Sequence, residues 1–147
     1  MGNLKLTSSA FSYGGEIPRE YGYKNGNKIT PLTVSGIPDG TKSLALIMDD
    51  PDAMGAVGKI WVHWVAWNID PTKTELELAN STEGMTDFGE VGYGGPAPPD
   101  KRHTYVFKLY ALDSELDLPG KSTKADVEKA MEGHIIEQAT LEGTYAP

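Results

Sequence analysis

The feature that most constrains this chain is an apolar run that ends abruptly in carboxylates. Ser43-Leu44-Ala45-Leu46-Ile47-Met48 is apolar at both parities after its serine, the pattern of a strand buried on both faces. Asp49-Asp50-Pro51-Asp52-Ala53 follows at once, so three carboxylates fall within four residues and a proline ends the ladder. A second run, Ile60-Trp61-Val62-His63-Trp64-Val65-Ala66-Trp67-Asn68-Ile69, is rich in β-branched and aromatic residues and reads as a partner strand. A lone histidine, His63, sits in its middle. A buried strand that ends in carboxylates, beside another that carries a histidine, reads as a site rather than as packing.

Composition narrows what that site can serve. At 147 residues the chain is expected to form a single domain over residues 1–147, one that buries roughly two-thirds of its unfolded surface. A net charge of -8 and a pI near 4.8 argue against a nucleic-acid partner, because phosphate neutralisation needs clustered Lys and Arg. Of the 13 basic residues only Lys101-Arg102 are adjacent. The absence of cysteine excludes disulfides, thiolate metal sites and cysteine nucleophiles. No apolar run approaches the ~20 residues of a membrane-spanning helix, and neither a signal peptide nor a myristoylation pattern is read at the start, where position six is Leu6. A soluble, cytoplasmic protein is the expectation.

The rest of the chain reads as short strands with one late helix. Residues 3–40 are broken by Gly14-Gly15, Pro18, Gly22, Gly26, Pro31, Gly36, Pro38 and Gly40. Between these breaks Leu4-Lys5-Leu6 and Leu32-Thr33-Val34 are extended pieces of a β-rich opening. The alternation of Glu75-Leu76-Glu77-Leu78 fits a short strand. Gly92-Tyr93-Gly94-Gly95-Pro96-Ala97-Pro98-Pro99 forms neither helix nor central strand, but a loop rigid at its prolines. His103–Leu112 is a strand with His103, Tyr105, Phe107 and Leu109 on one face. A helix opens at a capping box of Thr123 and Asp126, and Val127, Ala130, Met131 and Ile135 recur at helical spacing. Gly133 inside that helix suggests close approach to a neighbour, and His134, on the same face, reads as packing.

Candidate site residues follow from these placements. His63 and His103 meet if their strands run near each other, and Tyr105 shares a face with His103. Two imidazole N–H groups, a phenol and the amides of the glycine loop suit a phosphoryl oxygen shell. Asp50 accepting from one imidazole fixes its tautomer and favours its charge. The bland alternative for His63 is a core histidine satisfied by a carbonyl. For Asp49 and Asp52, beside Pro51, it is turn building. Trp61, Trp64 and Trp67 occupy both parities, so part of that set is core, and Lys101-Arg102 reads as a solvated loop tip. Two enzyme readings compete: a metal site of His63, His103 and a carboxylate, and a serine hydrolase. No Gly-x-Ser-x-Gly elbow supports the second.

Asp50-Pro51-Asp52-Ala53, His63-Trp64, and Gly94-Gly95-Pro96-Ala97-Pro98-Pro99 followed by His103 and Tyr105 resemble, in order and spacing, the phosphatidylethanolamine-binding protein family. The likeness extends over nearly the whole chain and is closest to the prokaryotic branch, Raf kinase inhibitor protein being an animal member. Where the family carries proline this chain has Met54, and it has Thr104 and Lys101-Arg102 where the family has arginine and a glycine. The resemblance implies a mainly β fold with a late helix: a central antiparallel sheet, a second smaller sheet, and an anion pocket at one end. It implies a binder of phosphate, phosphorylated head groups or phosphorylated residues, with a regulatory or inhibitory role toward kinases or proteases and no chemistry of its own. Ligand-binding positions are then Asp50, His63, His103, Tyr105, Gly95 and Pro96, with Asp52, Pro51 and Trp61 structural at the site. No cofactor or metal is expected, and a homodimer stays open. At least one cis peptide bond is expected in the proline-rich pocket walls.

Overall fold

A computed structural model describes residues 3–76 and 81–147. Its elements run β1 (Lys5–Thr7), a 3₁₀ turn (Arg19–Tyr21), β2 (Thr33–Ser35), β3 (Ser43–Asp50), α1 (Ala53–Val57), β4 (Trp61–Ile69), β5 (Thr82–Glu83), β6 (His103–Leu112), α2 (Lys124–Met131) and β7 (Ile135–Tyr145). Two antiparallel sheets form from the described residues, a small one of β1 and β2 and a central one in the order β5-β4-β3-β6-β7. The fold is mainly β, as the sequence implies. Among the described residues no helix is long and apolar enough to cross a membrane.

β3 lies in the middle of the central sheet, and all eight of its residues are buried. Its alternation feeds two cores. Leu44, Leu46 and Met48 pack with Trp64, Phe107 and Leu109 under the small sheet's Leu6 and Val34. Ala45 and Ile47 pack with Val65, Trp67 and Leu112 under Val127 and Met131 of α2. Each such side chain contributes about 1.5–3 kcal/mol when fully buried, which fixes the strand's register against slippage.

Two irregularities in β4 set where its side chains point. Met48 pairs with Trp64 but Asp49 with Val62, so His63 is the extra residue of a bulge. Bulges re-aim a side chain, and here His63 joins Trp64 on the face of Tyr105 while Val62 packs toward α2. The second irregularity lies between the Leu44–Ile69 and Leu46–Ala66 pairs. There Asn68 takes a positive φ of 56°, and its amide bonds both the N–H and the carbonyl of Leu116.

α2 begins at the expected capping box, with Thr123 and Asp126 bonding each other's backbone N–H groups. It ends four residues earlier than its periodicity suggests. Gly133, at φ +79°, reverses the chain beyond the helix and has no neighbour within 4 Å of where a Cβ would stand. Ile135 opens β7 and is exposed, so its helical spacing from Met131 is coincidental. His134 does not pack: its half-exposed ring bonds Asp113 at 2.8 Å. Glu75 makes an isolated bridge to Thr33, whereas Glu77 and Leu78 of the expected strand lie outside the described residues.

Candidate functional site

The end of β3 presents adjacent carboxylates to opposite faces of the sheet. Asp49 points toward α2 and meets Lys124 at 2.8 Å and Lys108 at 3.4 Å. It is an ion-pair residue of the helix face rather than a turn builder. Asp50 points the other way. Its Oδ2 lies 2.6 Å from Nδ1 of His103, and its Oδ1 accepts from the Asp52 N–H at 2.9 Å. Asp52 in turn accepts from the Thr104 N–H at 2.8 Å, tying the turn to β6. Pro51 is exposed at the head of that turn, which runs directly into α1.

His103 is held between two carboxylates. Its Nε2 lies 2.7 Å from Asp100, so both ring nitrogens are engaged. Burial works against charging this ring, but the bonds to Asp50 and Asp100 outweigh it and raise its pKa. An imidazolium donating from both nitrogens satisfies this geometry. His103 therefore has no N–H left for a ligand, and the expected pair of imidazole donors reduces to His63.

His63 has the opposite character. Its Nδ1–H donates to the Gly94 carbonyl at 2.7 Å, and the Gly94 N–H returns a bond to the His63 carbonyl at 2.8 Å. Burial lowers its pKa, only partly opposed by the Gly94 carbonyl and the Asp50 charge. The Gly95 backbone also favours the charged ring, and the one side-chain hydrogen bond of His63 falls on Nδ1 rather than Nε2. His63 is thus a neutral ring whose Nε2 lone pair can take a proton.

Tyr105 stands between the two histidines, its ring 5.1 Å from His63 and 6.4 Å from His103. The phenol is fully buried, and its hydroxyl has no partner at good hydrogen-bond geometry, with the Ala97 backbone and the Asp50 carboxylate near it. Burial and then the Asp50 charge push its pKa up, so it remains a donor at any working pH. Trp61 Nε1 is also buried without a partner. Its ring packs edge-on to Phe88, which also meets His63 at 5.3 Å and stacks on Tyr23 at 4.1 Å.

A cavity of about 240 Å³ opens over this cluster. Asp50, His63, Trp61, Tyr23, Phe88 and Lys24 line it, with Ala53, Ala56 and Val57 of α1 and Ala97 and Pro99 of the proline loop. Gly95 and Pro96 brace this wall from behind. The Gly95 N–H donates to Asn27 at 2.7 Å, and a Cβ at Gly95 would fall 2.0 Å from the Tyr21 carbonyl oxygen. The Pro96 carbonyl accepts from the Tyr23 N–H at 2.9 Å. The loop amides of Gly94 and Gly95 are therefore spent within the protein. Peptide bonds among the described residues are all trans, so the expected cis bond in these walls is absent.

Several residues at the site were not singled out in the sequence. Phe88 carried a faint signal, as the one aromatic residue between Asp70 and Gly92. Tyr23, Lys24 and Asp100 carried none, because only the folded loops bring them to the strand ends. Among the described residues no group of three or more His, Asp or Glu is arranged to hold a metal ion. Arg102 pairs with Glu16 across an exposed surface.

Comparison with known proteins agrees with this architecture. The family model for phosphatidylethanolamine-binding protein matches residues 7–146. A UPF0098 protein of Methanothermobacter thermautotrophicus is 44% identical over 151 residues, covering 97% of this chain and 98% of its own. A phosphatidylethanolamine-binding protein homologue of Chlamydia trachomatis superposes with a TM-score of 0.92 at 39% identity, covering 99% and 98% of the two chains. Escherichia coli YbcL, a member of the mammalian PEBP family, gives 0.86 at 31% identity over 97% of each.

Proposed function

This chain belongs to the phosphatidylethanolamine-binding protein family, and on that premise we propose that it binds a small phosphoryl anion in the cavity above Asp50, His63 and Tyr105, without turning it over. One observation carries the reading. Trp61 Nε1 on the cavity wall and the Tyr105 hydroxyl, buried beside the His63 ring, have no hydrogen-bond partner, and the one side-chain hydrogen bond of His63 is made by Nδ1. A buried donor without a partner costs about 1–3 kcal/mol, and a bound oxyanion repays that cost. The phenol and the indole already carry their protons, and each is covered, so a small shift of the side chains above them brings them to the anion. His63 donates from Nε2 only after it takes a proton, so binding an anion draws a proton into the site.

The test is calorimetry of sulfate binding between pH 5.5 and 8, since sulfate keeps its charge over that range. Affinity should fall as pH rises through the imidazole range, and proton uptake should appear as a dependence of the heat on the buffer. His63→Ala should lose one charge-assisted bond, about 1.5–3 kcal/mol, or roughly ten- to a hundredfold in affinity. A flat pH profile, or wild-type binding by that variant, would overturn the assignment. The cavity offers no side chain placed as a nucleophile beside a base. Phosphatase, lipase and peptidase turnover should therefore match that of His63→Ala, and turnover that the substitution abolishes would show an enzyme.

A further inference from the structure

A second cavity adjoins the first. Its volume is about 230 Å³, and it shares Lys24, Ala97 and Pro99 with the first, so the two meet across the ridge of the proline loop. Its remaining walls include Arg19, Asn25 and Tyr145. In a chain of net charge -8, this hollow carries two cationic side chains and no Asp or Glu side chain, with Pro147, the last residue of the sequence, also on its wall.

The cations are held or free in useful ways. Arg19 spends Nη1 on the Ala146 carbonyl at 2.7 Å and lies over the Tyr145 ring at 4.2 Å. Tyr145 is itself anchored, donating to the Arg19 carbonyl at 2.8 Å and accepting from Asn25 Nδ2 at 2.7 Å. The guanidinium is thus oriented while most of its five N–H donors stay available. Lys24 has no ion-pair partner among the described residues and stands where both cavities can use it. In the first cavity the only other charged side chain is Asp50, already committed to His103.

We infer that the second cavity is an anion subsite, and that the ligand class is a molecule with two anionic groups, one phosphoryl group over His63 and a second held by Arg19 and Lys24. This rests on the phosphoryl reading of the first cavity. Linking the two groups converts the second contact into an intramolecular one, so affinity rises when the spacer matches the ridge and falls away on either side of it.

The experiment compares methylphosphonate with linear bisphosphonates of one to four methylenes by calorimetry. One spacer length should bind at least about tenfold tighter than methylphosphonate, beyond the roughly twofold statistical gain of two equivalent groups. Arg19→Gln should remove that advantage and change methylphosphonate affinity less than about twofold. Because Arg19 also holds the Ala146 carbonyl, Asn25→Asp is a second variant that keeps the Arg19 side chain and puts a carboxylate in the subsite, in exchange for the amide's bond to Tyr145. It too should erase the advantage. A series in which no length exceeds the statistical gain, or an advantage that survives both substitutions, overturns the subsite while methylphosphonate binding still depends on His63. Methylphosphonate binding indifferent to His63→Ala overturns the first-cavity reading and this inference with it.

Discussion

The two faces of the sheet at the end of β3 solve the same problem differently. On the helix face Asp49 is neutralised by two lysines, and those lysines are partly exposed, with side-chain exposures of 33% for Lys108 and 18% for Lys124. On the other face Asp50 and His103 are both buried and locked to each other, while Tyr105 and Trp61 beside them leave polar atoms unpaired. A buried charge needs a partner wherever it sits. A face that satisfies its charge and then leaves neighbouring donors unspent has stability to spare for a ligand. The helix face leaves Trp67 Nε1 unpaired in its core, so the comparison rests on where the unpaired groups lie: on the Asp50 face Trp61 borders a cavity, and on the helix face Trp67 does not.

The largest expected effect breaks the lock itself. Asp50→Ala strands His103 as a buried ring with one carboxylate, and losing one partner of a buried pair costs about 3–5 kcal/mol. Asp49→Ala should cost less, about 1.5–3 kcal/mol, because its lysines can turn to water. Urea denaturation of both variants checks the order. Equal losses would mean that the two faces are held alike.

Next in size is a pH effect of opposite sign in the two histidines. His103 has a raised folded pKa, so its stabilising contribution is complete below the unfolded value near 6.5 and is lost as pH rises through the folded pKa. His63 has a lowered folded pKa. The unfolded state then binds the proton first, and stability is lost as pH falls from about 6.5 toward the folded value. In the wild type the two oppose each other. His63→Gln should therefore gain stability from pH 8 to 5.5, and His103→Gln should lose it, each by up to about 1.4 kcal/mol per pH unit. Melting curves with slopes of the same sign would refute the assignment of one ring as charged and the other as neutral.

How much of this the sequence carried depends on how local each signal was. β6 spans the expected His103–Leu112, and the helix starts at the expected capping box, because strand alternation and caps are written over a few adjacent residues. That Asp50 and His103 share one pocket came through family resemblance rather than periodicity, and the order of strands that brings them together was read from neither. β7 was missed because Ile135 and Ile136 sit near helical spacing from Met131 and the strand is exposed at its start, with alternation emerging only toward Leu141 and Tyr145. α1 was missed because a five-residue helix has too little period to see. The commitment of His103 to two carboxylates was invisible, since Asp100 reads as a loop residue until the fold turns it onto the ring.

The smallest expected stability change sharpens the comparison most. Tyr105→Phe removes a buried hydroxyl that has no partner, so folding should lose nothing and stability should stay within about 0.5 kcal/mol of wild type or rise. Tyr93→Phe is the control. Its hydroxyl bonds Thr30 at 2.8 Å and the Tyr21 carbonyl at 2.9 Å, and deleting it should cost about 1–3 kcal/mol by leaving those groups unpaired. Sulfate binding should rank the two the other way, with Tyr105→Phe weakened about two- to tenfold and Tyr93→Phe nearly unchanged. The logic is that a group kept unpaired through folding is kept for something else. If Tyr105→Phe destabilised the protein as Tyr93→Phe does, its hydroxyl would have a partner within the fold, and the contrast between the two faces would fail at its central residue.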